Sequence, residues 1–137
     1  MSEALTIPIA SGENIYTPQQ YIDLMKIGQV DIIQPDIVKT PGFTTMIKIS
    51  HIAEEFGIPI TCHNTQPTIS TIAHAHFVAA TPGIPYDQEY NIEHVSIRDD
   101  YPILTEPINI RNGMLEIPDG PGLGVELDMN SIDRFIG

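Results

Sequence analysis

The sequence predicts an α/β fold in which parallel strands alternate with helices, followed by a C-terminal hairpin and tail. Apolar runs of strand length alternate with segments whose apolar residues recur at helical spacing, an order typical of βα units. An ionisable residue ends each strand candidate, at intervals of 23, 27 and 26 residues: Glu13, Asp36, His63 and Glu89. One strand, one helix and two short loops occupy about that length. The four side chains are therefore expected at one rim of the sheet, where α/β barrels place catalytic groups.

The first βα unit begins near the N-terminus. Residues 7–10 form a short strand candidate. Thr17 followed by Pro18 predicts a helix N-cap and first helical residue, because Thr caps well and proline needs no N–H there. Gly28 is placed to end this helix.

Two further strand candidates enclose a longer helix. Residues 30–34 and 58–62 are β-branched runs of strand length. From Phe43 onward apolar residues recur at helical spacing as far as Gly57, which is expected to end the helix.

The rest of the chain is predicted to contain one more helix and strand, followed by a hairpin and a short terminal helix. Residues 67–80 have a helical apolar stripe, and residues 87–90 are a short strand candidate. Residues 108–110 and 114–117 flank Arg111-Asn112-Gly113, a strong hairpin signal. Asn130 is expected to cap a short terminal helix. Strand and helix units thus occupy about residues 7–90, and a hairpin and tail about residues 101–137.

The amino-acid composition limits the classes of binding partner and the cellular compartment that fit this sequence. With 18 acidic and 6 basic residues the formal charge is −12, which argues against nucleic acid and anionic membranes as partners. Cys62 is the one cysteine, so no internal disulfide is possible and a reducing compartment is favoured. No signal peptide is evident at Met1–Leu5, and no apolar run approaches the roughly 20 residues of a membrane span. We expect a cytoplasmic protein.

Asp36 and His63 are the best candidates for catalytic residues. Neighbouring parallel strands would bring them together, and a carboxylate beside a histidine fixes the tautomer of a general base. The alternative for Asp36 is that it only caps the turn after Pro35. A nucleophilic pair of Cys62 with His63 is disfavoured, because adjacent strand residues face opposite sides.

Five short segments occur in a fixed order that covers the chain from about Ile7 onward. They are Gly12-Glu13-Asn14, Gln34-Pro35-Asp36 with Lys39 and Gly42, Phe56-Gly57-Ile58-Pro59 leading to His63, Ala79-Ala80-Thr81-Pro82, and Ile117-Pro118-Asp119-Gly120-Pro121-Gly122-Leu123-Gly124. Together they resemble the C-terminal half of the enolase superfamily, specifically the mandelate racemase and muconate lactonizing enzyme family. The resemblance implies the C-terminal half of a (β/α)7β TIM-like barrel.

The resemblance also implies a role for each candidate site residue. Glu13 matches the third of three acidic ligands to a magnesium ion. Asp36 and His63 match an Asp–His dyad in which the histidine is the general base or acid and the aspartate orients it. Glu89 looks like the glutamate that hydrogen-bonds the substrate carboxylate, with Glu93 as a weaker alternative. The implied substrate is a small hydroxy or sugar acid, from which the family removes the proton next to the carboxylate.

Other parts of the family pattern are absent from this sequence. Only twelve residues precede Glu13. Four features of the family therefore have no counterpart in this sequence: two metal ligands, a Lys-x-Lys base, the first barrel strands and an N-terminal capping domain. We therefore expect residues 1–137 to form one partial barrel domain that binds Mg²⁺ weakly and is inactive alone. A half-barrel exposes strand edges and an apolar face, so we also expect self-association into a homo-oligomer.

Several readings stay open at this point. A sugar-acid dehydratase is favoured over a racemase or epimerase, and a non-catalytic fragment that keeps the fold is the second class. A small unrelated cation-binding module would need a local cluster of carboxylates, which the sequence lacks. Lys39 matches a position often seen after the dyad aspartate, but we leave it outside the catalytic set. His74 and His76 point in different directions on a helix and make a poor metal pair, and His76 is expected to pack on the apolar stripe.

Overall fold

The computed structural model describes residues 5–65, 68–92 and 102–136 of a mixed α/β chain. Its first part contains two short strands and three helices, and its last part contains a hairpin and a helix. In order, the elements are β1 (Ala10–Ser11), α1 (Pro18–Asp23), a π-helical turn (Leu24–Gly28), β2 (Ile32–Ile33), α2 (Gly42–Phe56), α3 (Ile69–Ala80), β3 (Ile110–Arg111), β4 (Met114–Leu115) and α4 (Met129–Ile136).

The parallel pairing predicted for the first three strand candidates is present, although the strands are short. β1 pairs with β2 in parallel, with Ala10 opposite Ile32. Beyond β2, Ile33 forms a single parallel bridge to Ile60, so residues 58–62 reach the sheet edge without forming a full strand. The carboxyl ends of these segments therefore lie side by side.

The strand predicted at residues 87–90 is wrong, because the structure has no strand there. Side chains make the contacts that a strand backbone would have made. The Cys62 N–H donates to Oε1 of Gln88 at 2.9 Å, and the Asn64 N–H donates to Oε2 of Glu89 at 2.8 Å. The segment thus lies beside the third strand candidate without joining the ladder.

The helix signals in the sequence are largely confirmed. Thr17 caps α1 through a reciprocal pair of hydrogen bonds with Gln20, and Pro18 is its first residue. The helical segment ends at Gly28, but Gln29 (φ 51°) takes the left-handed conformation that usually falls to glycine. Gly57 ends α2 as predicted, with φ 65°.

The core lies between the sheet and the inner faces of the helices. Tyr21 of α1 is fully buried. The cluster also contains apolar side chains from β2, α2 and α3, among them Ile33, Met46, Ile49, Ala53, Ala73 and Phe77. This packing fixes α3 against the strand ends that carry the candidate site residues.

The hairpin is confirmed and the expected cap of the last helix is wrong. Asn112 and Gly113 both have positive φ, as a two-residue turn between antiparallel β3 and β4 requires. The side chain of Asp128, rather than that of Asn130, caps α4 by accepting from the Ser131 N–H at 3.0 Å. Within the described ranges, every helix is too short or too polar to cross a membrane.

Gly12 is expected to be much less tolerant of alanine than Gly57. Both have positive φ, but a Cβ on Gly12 (φ 126°) would lie 3.0 Å from a Tyr21 ring carbon, whereas Gly57 has open space around it. Gly12→Ala should therefore lower the free energy of unfolding by about 1 kcal/mol more than Gly57→Ala. Urea unfolding of both variants measures this difference, and equal losses would show that Tyr21 does not crowd Gly12.

Candidate active site at the strand ends

Asp36 and His63 meet at the ends of neighbouring parallel segments, as the sequence predicted. Nδ1 of His63 lies 3.0 Å from Oδ2 of Asp36. Asp36 is buried, with 1% of its surface exposed, whereas His63 is half-buried and so reaches the surface of the site. The backbone places the pair, because the His63 N–H donates to the Pro35 carbonyl at 3.2 Å.

The hydrogen bond fixes the tautomer of His63. An ionised carboxylate can only accept, so Nδ1 of His63 carries the proton and donates to Asp36. Nε2 is then left with a free lone pair, which is the form that a general base needs. The second oxygen of Asp36 accepts from the Val38 N–H at 2.9 Å, so the carboxylate cannot rotate without losing a bond. The turn role considered for Asp36 is therefore present together with the contact to His63.

Glu89 lies next to this pair. Its Oε2 accepts from the backbone N–H of Asn64, the residue after His63. Its backbone carbonyl also accepts from Nδ2 of Asn64, at 3.3 Å. Glu89 is exposed, so its carboxyl group is held at one oxygen while it faces solvent. The alternative residue, Glu93, lies outside the described residues.

Glu13 follows β1 and lies in a separate set of contacts. Its two oxygens accept from the Gly12 N–H at 3.2 Å and from Nδ2 of Asn14 at 3.1 Å. Nζ of Lys39 donates to Oδ1 of Asn14 at 2.9 Å, which connects the loop after β2 with the loop after β1. Asn14 thus links Lys39 to Glu13.

His74 is the site residue that sequence reasoning missed. Its helical spacing from His76 indicates only a poor metal pair, yet His74 is 3% exposed and lies beside Asp36. Nε2 of His74 accepts from the Ile37 N–H at 3.0 Å. His76, which was expected to pack on the apolar stripe, is half-buried and bonds the Leu123 carbonyl through Nε2 at 3.1 Å.

Burial keeps several groups around the dyad uncharged. Desolvation raises the pKa of the Cys62 thiol to about 12, with a further contribution from the Asp36 charge, so this cysteine is no nucleophile near neutral pH. Burial, followed by the charges of Asp36, Cys62 and Glu13, raises the pKa of Tyr21. Tyr21 therefore remains a neutral donor, and its hydroxyl donates to the Gly12 carbonyl at 2.7 Å.

In the part of the chain that the structure describes, the donor groups near Glu13 fall short of a magnesium coordination shell. Mg²⁺ requires several oxygen ligands in near-octahedral geometry. Among the described residues, no group of three or more His, Cys, Asp or Glu side chains is placed to share an ion. Glu13 supplies one carboxylate, whose oxygens already accept hydrogen bonds from neighbouring groups. The described part of the chain therefore does not make a magnesium site by itself.

Comparison with known proteins places this chain in a family. A family model described as enolase C-terminal domain-like matches residues 1–131. D-xylonate dehydratase of Haloferax volcanii is 35% identical over 136 residues, which are 99% of this chain and 32% of that protein. Other curated relatives include dehydratases and cycloisomerases of sugar acids. The chain spans about a third of the length of the curated relatives it matches.

Solved structures give the same result. The 3,6-anhydro-D-galactonate cycloisomerase from Zobellia galactanivorans superposes with a TM-score of 0.86 at 32% identity, covering 98% of this chain and 37% of that one. L-talarate dehydratase from Polaromonas sp. JS666, solved with Mg and L-glucarate, gives a TM-score of 0.74 at 27% identity, covering 96% and 34%. The chain therefore belongs to the mandelate racemase and muconate lactonizing enzyme family of the enolase superfamily, and it matches the family's C-terminal domain.

Proposed function

We propose that this chain supplies the Asp–His proton-transfer pair of a magnesium-dependent sugar-acid dehydratase. The hydrogen bond between Nδ1 of His63 and Oδ2 of Asp36 is the observation that carries the proposal. It leaves Nε2 of a half-buried histidine as a base facing the site, which is the chemistry that proton removal next to a carboxylate requires. The dehydratases among the relatives favour a sugar acid as substrate.

The proposed reaction begins at the carbon next to the substrate carboxylate. His63 accepts the proton from this carbon through Nε2, while Asp36 holds the ring and stabilises the imidazolium that forms. Glu89 forms a hydrogen bond with the substrate carboxylate as negative charge develops there. The hydroxyl on the next carbon takes a proton from the His63 imidazolium and leaves as water, which returns His63 to its neutral form, and the resulting enol tautomerises to a 2-keto-3-deoxy acid. Delivery of a proton to the opposite face of the first carbon would instead make the reaction a racemisation or epimerisation.

The metal would act on the substrate carboxylate, and Glu13 would be one of its ligands. The further ligands would come from residues outside the described part of the chain, because no group of three or more His, Cys, Asp or Glu side chains in that part is placed to share an ion. We therefore propose that residues 1–137 form part of a barrel site that other residues complete. Mg²⁺ supplies charge stabilisation in such a site when it is bound.

The test of the proposed function uses the complete protein encoded by the reading frame that contains these residues. It is assayed with Mg²⁺ on a panel of sugar acids that includes D-xylonate and L-glucarate. The expected product is a 2-keto-3-deoxy acid from at least one of them. Products of unchanged mass that differ only in configuration would favour the racemase alternative, and no turnover of any member would contradict the dehydratase proposal.

The isolated 137-residue chain is expected to self-associate and to turn over none of these acids. Several large apolar side chains are exposed, including Ile7, Ile27, Val38, Ile92 and Ile136. Association would cover them, with two copies completing a barrel-like sheet as one arrangement. Light scattering at micromolar concentration measures the mass. A strict monomer, or activity equal to that of the complete protein, would contradict this part of the proposal.

A further inference from the structure

His74 lies behind the dyad, on the face of α3 that meets the loop after β2. Both nitrogens of its ring are bonded, and the Ser70 hydroxyl oxygen also lies 3.3 Å from Nδ1. Nε2 lies 3.0 Å from the Ile37 backbone nitrogen, and Nδ1 lies 2.9 Å from the Ser70 carbonyl oxygen. The side chain is buried, so water does not compete for these bonds.

These contacts assign the protonation state of His74. The Ile37 N–H can only donate, so Nε2 must accept and carries no proton. The Ser70 carbonyl can only accept, so Nδ1 must carry the proton. Oδ1 of Asp36 lies 3.7 Å from Nε2, which is beyond hydrogen-bond distance, and the neutral ring makes no ion pair with it. Burial lowers the pKa of His74, in agreement with a ring that is neutral in the folded chain.

The bond to Ile37 acts on the backbone that carries Asp36. The backbone N–H groups of the two residues after Asp36 are both bonded. The Ile37 N–H donates to Nε2 of His74, and the Val38 N–H donates to Oδ1 of Asp36. The Asp36 carbonyl also accepts from the Thr40 N–H at 2.8 Å. Loss of the His74 acceptor would leave the Ile37 N–H buried without its bond, and the turn would have to shift to satisfy it.

The same helix connects the dyad with Glu89. The Ser70 hydroxyl donates to Oδ1 of Asn64 at 3.1 Å, and Nδ2 of Asn64 donates to the Thr71 hydroxyl at 3.0 Å. The backbone N–H of Asn64 binds the Glu89 carboxylate. One hydrogen-bond network therefore runs from Ile37 through buried His74, Ser70 and Asn64 to exposed Glu89.

We propose that His74 is a positioning residue for the Asp36–His63 pair, and that it acts by accepting a hydrogen bond from the Ile37 N–H. Its importance for turnover rests on the proposed function, but its effect on the geometry of the pair does not. The Ser70 carbonyl accepts the proton of Nδ1 of His74 in a hydrogen bond, so Nε2 is unprotonated and can accept from the Ile37 N–H. Asn64 extends the same support to Glu89.

Two substitutions separate this role from simple packing. His74→Gln places an acceptor near the position of Nε2 and keeps the bond to Ile37. His74→Asn places a donor near the position of Nδ1, which keeps the Ser70 contact and loses the Ile37 bond. Both replace the ring by a smaller amide, so a purely structural role of the ring predicts similar behaviour of the two variants.

The experiment is NMR on this chain without substrate. Hydrogen exchange of the Ile37 amide should be at least about tenfold faster in His74→Asn than in His74→Gln, because a buried amide has lost its acceptor. The Tyr21 amide, bonded to the Thr17 carbonyl in α1 and away from this turn, serves as the internal reference. The Nδ1–H resonance of His63, bonded to Asp36, should persist in His74→Gln and weaken in His74→Asn.

A second measurement addresses turnover in the complete protein. His74→Asn should lower kcat by at least about tenfold relative to His74→Gln with little change in KM, since misplaced catalytic groups slow the chemical step. Equal exchange and equal His63 spectra in the two variants would overturn the positioning role. A difference in the spectra with no turnover of any sugar acid by the unmodified protein would instead overturn the proposed function alone.

Discussion

Asp36→Asn is expected to lower kcat of the complete protein by about 10²–10⁴-fold while leaving its fold intact. The amide oxygen can still accept from the Val38 N–H, which now bonds Oδ1 of Asp36. The amide nitrogen then replaces Oδ2 opposite Nδ1 of His63 and donates to it. The histidine is forced into the other tautomer, whose proton sits on Nε2, and it can no longer act as a base.

The control for Asp36→Asn removes a histidine that lies away from the dyad. His51 is exposed on α2, so His51→Asn should leave kcat unchanged. Steady-state kinetics on the preferred sugar acid gives both values, and circular dichroism checks that the variants fold. Activity of Asp36→Asn within about threefold of the unmodified protein would mean that Asp36 does not set the tautomer of the base.

The second large effect is a loss of stability in mild acid that depends on His74. Burial, the largest cause, and the nearby His63 lower the pKa of His74, although the Asp36 and Glu89 charges and the Ser70 carbonyl oppose the shift. Below pH 6.5 the unfolded chain therefore binds a proton that the folded chain does not. Stability rises with pH in this window, so it should fall by up to about 1.4 kcal/mol per pH unit as the pH drops below 6.5.

Comparison with His74→Gln isolates this contribution, because glutamine does not titrate. Urea unfolding is measured from pH 7.5 to pH 5 at fixed protein concentration for both proteins. The difference in stability between them should shrink or reverse as the pH falls. Parallel pH profiles would show that His74 binds protons equally in the folded and unfolded states.

Local sequence signals were sufficient for most helix ends and for pairing Asp36 with His63. Thr17 with Pro18, Gly57, and Asn112 with Gly113 each act through their own backbone conformation, so their roles can be read from the residues alone. Asp36 and His63 could be paired because each ends an apolar run and parallel neighbours bring such ends together. In the structure Nδ1 of His63 lies 3.0 Å from Oδ2 of Asp36.

The features that sequence reasoning missed depend on contacts between distant parts of the chain. His74 binds the backbone of Ile37, a residue 37 positions earlier, and helical periodicity carries no information about such a bond. The strand at residues 87–90 was predicted wrongly because Gln88 and Glu89 bind the neighbouring backbone through their side chains. Asp128 and Asn130 are equally good caps by residue type, and only the path of the chain selects Asp128.

The most direct test follows the proton that His63 is proposed to remove. The complete protein is incubated with Mg²⁺ and its preferred sugar acid in D₂O, and the signal of the proton next to the carboxylate is followed by ¹H NMR. The unmodified protein should abolish this signal as substrate is consumed, and His63→Asn should leave it intact. Loss of the signal at the same rate in His63→Asn would contradict the assignment of His63 as the base.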